Sequence, residues 1–554
     1  MVDLLRTKFS KRFIALVALA LFSAYVQPLH AQDRLTLNHV VAGTIEPGAT
    51  QVYSLPLNDG DYVSGSITQE GQMNAIIFNP DGSLMRRFLG APTDGKREFR
   101  FSADGAGTYT IQITTPAKSA SKYRLVVENV LSLDERLQAD PWTDPNPSPR
   151  IQALRKQISS GQPSTELFWK KVTEDGTPIF EQFDSKFELV TFLWRGQHDT
   201  RNVLVTGSFL APGTSLDHVM HRIPNSDVWY LTLKLAKGAR FTYRLSPNNP
   251  LTFDGPRAEQ SSATAQSDRL NHRRVGCPAA ATNFVCQSAG ESPDAPPQPW
   301  IIDNPATPQG KIETHTIESQ IQKVKRDFSV YTPTGYSSEG RPNDLLLLFD
   351  GDSYLVEYQV KATLDNLIAA SKIPPTVTVL LPNLPSRRLD DLLPNPEFGD
   401  FVAKELVPWV RSHYNVAKDS SRTTVGGYSA GGVASAFMGL RHPEVFGNVI
   451  SQSGAFWWAP DHYPIPDSTT EPNWMAKQFV ISPKLPLRFY LEAGTFETDR
   501  DGNGGQILEP TRHLRDVLLA KGYDVHYQQF VGGHDGLTWQ GSLADALIAL
   551  LGQH

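Results

Sequence analysis

Hydrophobic and polar positions repeat with different periods along this chain, and the changes of period divide it. Between residues 32 and 130, runs such as Gln51-Val52-Tyr53-Ser54-Leu55, Thr108-Tyr109-Thr110-Ile111-Gln112-Ile113 and Tyr123-Arg124-Leu125-Val126-Val127 alternate with period two. The turn signals Asn58-Asp59-Gly60-Asp61, Asn79-Pro80-Asp81-Gly82 and Asp104-Gly105-Ala106-Gly107 separate such runs. Half-buried strands punctuated in this way predict an antiparallel β-sandwich. Residues 131–165 read as a linker: Pro141, Pro145, Pro147 and Pro149 are too dense to feed a helix interior or a central strand, and a short helix follows over 149–159. Alternation returns over 166–255, in the runs 187–194, 203–209, 228–233 and 239–245, and predicts a second, immunoglobulin-like sandwich. Residues 256–310 are polar and rich in Pro, Ala and Ser, which reads as a long irregular connector.

From 311 to 554 the pattern changes again. The apolar runs 345–350, 377–381, 449–451 and 487–492 are continuous rather than alternating. Helical stretches at 358–370, 398–413, 433–441, 510–521 and 543–551 lie between and after them. Strands buried on both faces, interleaved with helices, predict an open, mostly parallel sheet whose functional site lies at the carboxyl ends of its strands.

Length and charge narrow the class. A chain of 554 residues exceeds one domain, and a net charge of −6 without a basic stripe gives no footprint for nucleic acid. Lys8, Lys11 and Arg12 precede an apolar run over 13–26, and Ala31 offers a small residue for cleavage. That order predicts a secretory signal over 1–31 and a periplasmic or secreted mature chain starting near Gln32, with an uncleaved anchor as the alternative. The apolar run is short for a membrane span, and no later run is long and apolar enough for one. Cys277 and Cys286, the two cysteines, are expected to form a disulfide that contributes about 2–3 kcal/mol. No metal site or cofactor is called for.

The strongest chemical signal is Gly427-Tyr428-Ser429-Ala430-Gly431, a Gly-x-Ser-x-Gly motif between a strand-like run and a helix-competent one. This is the setting of a nucleophile elbow, in which a serine sits on a pinched turn that side chains at the flanking glycines would block. With it, the fold class becomes two N-terminal β-sandwich domains followed by an α/β-hydrolase domain. A serine hydroxyl needs a base, and His534 in Val531-Gly532-Gly533-His534-Asp535-Gly536 occupies the last place in the hydrolase order. The acid should fall between them: Glu497 first, Asp499 second, with Asp501 better suited to its glycine turn and a two-residue Ser–His site as a further alternative. Backbone donors for an oxyanion are expected at Ala430 and in Phe349-Asp350-Gly351-Asp352-Ser353, at Asp352 or Gly351.

These motifs, together with Ser451-Gln452-Ser453-Gly454-Ala455-Phe456-Trp457-Trp458 and Leu491-Glu492-Ala493-Gly494, resemble those of the enterochelin (enterobactin) esterase family. The preceding β unit resembles that family's N-terminal domain through Phe168-Trp169, Gly176-Thr177-Pro178, Val190-Thr191-Phe192-Leu193-Trp194-Arg195 and Asp227-Val228-Trp229-Tyr230. Residues 32–130 resemble the pre-peptidase C-terminal type of sandwich. The family resemblance implies a small-molecule ester substrate, a ferric catecholate siderophore whose trilactone is hydrolysed. It also implies a cationic wall at Arg388 or Arg387, and ring contacts from Trp457 and Trp458. The export signal and the extra sandwich depart from the family's cytoplasmic enzymes. They keep open a carbohydrate-phenolic (feruloyl or acetyl) esterase, and a non-catalytic binding protein carried on the β domains.

Overall fold

The computed structural model describes residues 33–552 apart from 72, 90–94, 104, 133–144, 163, 198–199, 211–217, 250–263, 278–285, 461–472 and 499–506. The expected signal over 1–31 and the alternative acids Asp499 and Asp501 lie outside the described residues. The chain divides into two compact units, one N-terminal and the other comprising 137–253 and 257–554.

In the N-terminal unit, strands Asp33–Arg34, Thr50–Leu57, Gly107–Thr114, Asn74–Phe78 and Leu84–Leu89 lie side by side in one sheet. Val41–Ile45, Ser121–Leu131, Tyr62–Glu70 and Gly95–Ser102 form another. Alternation does the work here: along Gly107–Thr114 every second side chain is buried. Tyr109, Ile111 and Ile113 thereby join Val63, Phe101 and Val127 in one apolar cluster shared by both sheets.

The second unit opens with a helix, Pro149–Ser159, whose first turn is capped by the Ser148 hydroxyl accepting from the Ile151 N–H. Two four-stranded sheets follow, ordered Ile179–Gln182, Phe187–Arg195, Val228–Ala236, His221–Arg222 and Val203–Gly207, Arg240–Pro247, Gln287–Glu291, Arg274–Val275. Phe192, Phe209, Phe241 and Tyr243 meet in the core of this β unit. The expected boundary at 255 is corrected. The stretch read as an irregular connector supplies two paired strands, Arg274–Val275 and Gln287–Glu291. Gln-Ser-Ala-Gly-Glu carries no hydrophobic alternation because it packs small residues against a large neighbour. A Cβ on Gly290 would stand 2.1 Å from the Phe241 ring. Cys277 and Cys286 are bonded to each other between these strands.

The remaining chain forms an eight-stranded sheet ordered Lys311–Glu318, Lys325–Thr332, Thr376–Leu381, Asp344–Phe349, Thr423–Tyr428, Asn448–Gln452, Arg488–Gly494, Asp524–Phe530. The first two strands are antiparallel, and from Thr376–Leu381 onward neighbours are parallel. Asp344–Phe349 reads as an unbroken apolar run because both its faces are covered. Leu345, Leu347 and Phe349 enter one cluster with the helix Ala430–Arg441, and Leu346 and Leu348 enter another with Val360–Ala369 and Gly536–Leu551. The helix expected over 398–413 is interrupted at Val402–Leu406 by wider π-type turns just before Pro408, which has no N–H to continue the ladder. From Asp344–Phe349 the chain crosses first to one side of the sheet and then to the other. This topological switch opens a crevice at the strand ends.

Candidate active site

Loops at the carboxyl ends of four strands converge in that crevice. Ser429 follows Thr423–Tyr428 and adopts φ 55° and ψ −118°, a conformation strained for any residue with a Cβ. The turn closes because its glycines are bare: a Cβ on Gly427 would lie 2.8 Å from the Gly431 carbonyl carbon. The Ser429 N–H donates to the Gln452 carbonyl at 2.9 Å, and its own carbonyl accepts from the Ala455 N–H at 2.9 Å. Backbone bonds on both sides therefore hold the bend.

His534 comes from the loop after Asp524–Phe530, with Nε2 2.9 Å from Ser429 Oγ. Its Nδ1 lies 2.5 Å from Glu497 Oε1. Glu497 stands just beyond Arg488–Gly494, is 2% exposed, and through Oε2 accepts the Gly494 N–H at 2.6 Å. One carboxylate oxygen is thus tied to the backbone while the other meets the imidazole, which selects the tautomer with its free lone pair toward Ser429. Trp539 meets the imidazole edge to face at 4.8 Å. A hydroxyl, an imidazole and a buried carboxylate in line can pass a proton from the serine to the ring and later to a leaving group.

The loop after Asp344–Phe349 turns sharply at Asp350, which has φ 52°, and runs straight into the helix Gly351–Val356. A Cβ on Gly351 would stand 2.4 Å from the Leu380 carbonyl carbon and the Leu381 nitrogen, so only glycine fits there. The buried Asp350 side chain approaches the elbow and would lie 3.2 Å from a Cβ on Gly431. Ala430, Gly351 and Asp352 all stand in the first turn of a helix, where N–H groups lack intrahelical acceptors.

A cavity of about 930 Å³ opens over Ser429 and His534. One wall is the aromatic set Tyr428, Tyr358 and Trp539, with Tyr428 stacked on Trp539 at 4.5 Å. Burial pushes the Tyr428 phenol up to about 12, so it remains neutral. The other wall comes from the β unit and brings Arg244, Arg274 and Gln287. Burial lowers the pKa of Arg244, as expected for a cation removed from water beside a cavity.

The arginines expected from the resemblance separate. Arg388 lines the cavity, with its guanidinium 5.5 Å from the centre of the Tyr428 ring. It also binds Asp350 through two bonds, at 2.5 and 2.8 Å, so its charge is largely compensated. Arg387 is instead paired with Asp391 at 3.6 Å and is not among the lining residues. The tryptophans need correction as well. Trp458 packs edge to face on Trp474, and Trp457 packs on Ala493, Ile507 and Leu508; neither lines the cavity. Apolar neighbours on several elements outcompete a place at the surface. Arg244, Arg274, Tyr358 and Trp539 were missed. Trp539 had a local signal, five positions beyond His534; the two β-unit arginines had none. Among the described residues no group of His, Cys, Asp and Glu is arranged to hold a metal ion, and no helix is long and apolar enough to cross a membrane.

Residues 189–301 match the family model for the N-terminal domain of enterochelin esterase, and residues 319–550 match that of a putative esterase. The chain is 29% identical to the iron(III) enterobactin esterase of Dickeya dadantii, covering 71% of this chain and 94% of that protein. It is 26% identical to an iron(III) salmochelin esterase of Escherichia coli, covering 73% of this chain and 98% of that one. Among solved structures, the ferric enterobactin esterase of Salmonella typhimurium matches with a TM-score of 0.58 and 27% identity, over 70% of this chain and 98% of that one. An enterobactin esterase of Shigella flexneri, solved in the presence of enterobactin, matches with a TM-score of 0.57 and 27% identity, over 70% of this chain and 97% of that one.

Proposed function

We infer that this chain, which joins an N-terminal and an esterase domain in the manner of the enterochelin esterase family, hydrolyses the ester bonds of a catecholate siderophore. The observation that carries this reading is the Ser429–His534 pair at a cavity walled by aromatic rings and arginines, with buried Glu497 against the imidazole. Ser429 Oγ attacks the ester carbonyl as His534 Nε2 takes its proton. Glu497 holds the imidazole and stabilises its charged form. The negative charge on the carbonyl oxygen is met by the N–H of Ala430 and by that of Asp352 or Gly351. His534 then protonates the departing alkoxide, and water repeats the sequence on the acyl-serine. Iron enters as cargo of the substrate. An anionic ferric complex favours a site bearing Arg244 and Arg274, and its catechol rings favour Tyr358, Tyr428 and Trp539.

In the same reading residues 32–130 and the β unit that precedes the esterase domain are sandwiches, and residues 1–31 are a signal that exports the chain. The lysines and arginine before an apolar run support export, and sequencing of the mature N-terminus near Gln32 tests it. Turnover of ferric and iron-free enterobactin is to be compared with that of methyl ferulate. Preference for the siderophore and complete loss of turnover in a folded Ser429→Ala variant are expected. Preference for the ferulate would reassign the substrate to plant-wall phenolic esters, and full activity in Ser429→Ala would refute the mechanism.

A further inference from the structure

The turn that carries His534 is shared with the β unit. The Arg240 N–H donates to the Val531 carbonyl at 3.0 Å, and the Phe496 N–H, next to the acid, donates to the Gly532 carbonyl at 3.0 Å. At Gly533 the backbone lies flush on Ser208: a Cβ there would stand 1.6 Å from the Ser208 carbonyl oxygen. Asp535 closes the arrangement. Its Oδ2 accepts from the Ser208 hydroxyl and from the Thr242 N–H, the latter at 3.1 Å, and its Oδ1 caps the last helix by accepting from the Leu537 N–H at 2.9 Å. Thr242 N–H also reaches Ser208 Oγ at 3.1 Å, so hydroxyl, amide and carboxylate form a closed triangle.

We propose that Asp535 is a positioning residue for catalysis, tying the His534 turn to Ser208 and Thr242 so that the β unit sets the imidazole over Ser429. The proposal rests on the Ser429–His534 reading above. Asp535 touches neither reacting atom. It acts by anchoring the residue next to the base on one side of the turn, while Gly532 anchors the other side to the acid-bearing loop. The carboxyl is only 8% exposed, and burial raises its pKa to about 6, so above that value an ionised side chain is held by hydroxyl and amide donors. A charge kept in such a place is stabilised only while every donor stays in register. The β unit is thereby more than a wall of the cavity: it is half of the seat of the base.

The test uses the full chain, a p-nitrophenyl ester and a fluorophosphonate probe. In Asp535→Ala, kcat is expected to fall about 10- to 100-fold, the cost of displacing a reacting group by roughly an ångström. KM should stay within about twofold, and the rate of Ser429 labelling should fall in parallel with kcat. Ser208→Ala should show a smaller fall of the same kind, and the double variant should be no worse than Asp535→Ala, because both act through one tie. A folded Asp535→Ala variant with wild-type kcat and labelling would overturn the proposal, as would a double variant whose loss equals the product of the single losses. If Asp535→Ala does not fold, Asp535→Asn and Ser208→Ala decide by the same readouts, and unchanged kcat in both overturns it. Failure of the wild type to label at Ser429 would overturn the parent reading along with this one, whereas equal labelling of wild type and variant removes only the positioning role.

Discussion

Replacing Glu497 by Gln isolates what the buried carboxylate does. The wild-type side chain faces two donors, the imidazole Nδ1–H at 2.5 Å and the Gly494 N–H at 2.6 Å. An amide of the same shape has one acceptor and one donor. Keeping its oxygen on Gly494 leaves an NH₂ facing Nδ1, which forces the ring proton onto Nε2, toward Ser429. The base then presents a proton where it must present a lone pair. Such a tautomer reversal in a serine triad costs about 10⁴ in kcat, and 10³ to 10⁴ is expected here, equivalent to about 4–5.5 kcal/mol at 1.36 kcal/mol per tenfold. The alternative rotamer leaves the Gly494 N–H facing a donor in a site 2% exposed, which costs about 1–3 kcal/mol of stability instead. The assay is steady-state hydrolysis of a p-nitrophenyl ester, with KM and thermal midpoint measured alongside. Near-constant KM with collapsed kcat is the expected signature. A kcat within tenfold of wild type together with an unchanged thermal midpoint would refute the role of Glu497 and leave a two-residue Ser–His site.

Gly427→Ala is expected to abolish fluorophosphonate labelling and lower the thermal midpoint by several degrees, because the new Cβ would meet backbone of Gly431 at 2.8 Å; a labelled, stable variant would contradict the elbow geometry. Glu492 is fully buried, and desolvation raises its pKa from 4.5 to about 8 despite bonds from Ser542, Tyr490 and Gln452. The folded state therefore keeps a proton that the unfolded chain gives up, so this group's contribution is complete below pH 4.5 and is lost as pH rises through about 8. Denaturation midpoints measured from pH 5 to 9 should fall less steeply in Glu492→Gln than in wild type; parallel curves would refute this. Arg274→Ala should lower kcat/KM for a ferric siderophore by about 10-fold, the difference shrinking with added salt, while an uncharged p-nitrophenyl ester is turned over normally. Equal losses on both substrates would show that Arg274 does not read charge.

Ser429 and His534 could be proposed from the sequence because each is embedded in its own local signal. A bend pinched between glycines writes itself into adjacent residues, as does a histidine in a glycine-rich turn between a strand and the last helix. Glu497 could be proposed less sharply: position after a strand pointed to a short acidic stretch, within which Glu497 lies 2.5 Å from His534 Nδ1. The strand Gln287–Glu291 was illegible because it is built of small residues fitted beneath the Phe241 ring and has no alternation to read. Trp457 and Trp458 misled for the opposite reason. An aromatic pair beside a motif looks like a ligand platform, yet what buries it lies on distant segments.

By itself the sequence determined the kinds of layer, the strained serine turn and the order of the chemical groups, since these follow from periodicity and from steric demands between neighbours in the chain. Tertiary structure alone decided what surrounds the chemistry. Arg244 and Arg274 face the cavity, Asp350 compensates Arg388, and Ser208 meets Asp535 across 327 positions of chain. Contacts of that separation depend on how whole sheets pack, and packing between elements leaves no periodic trace along either of them.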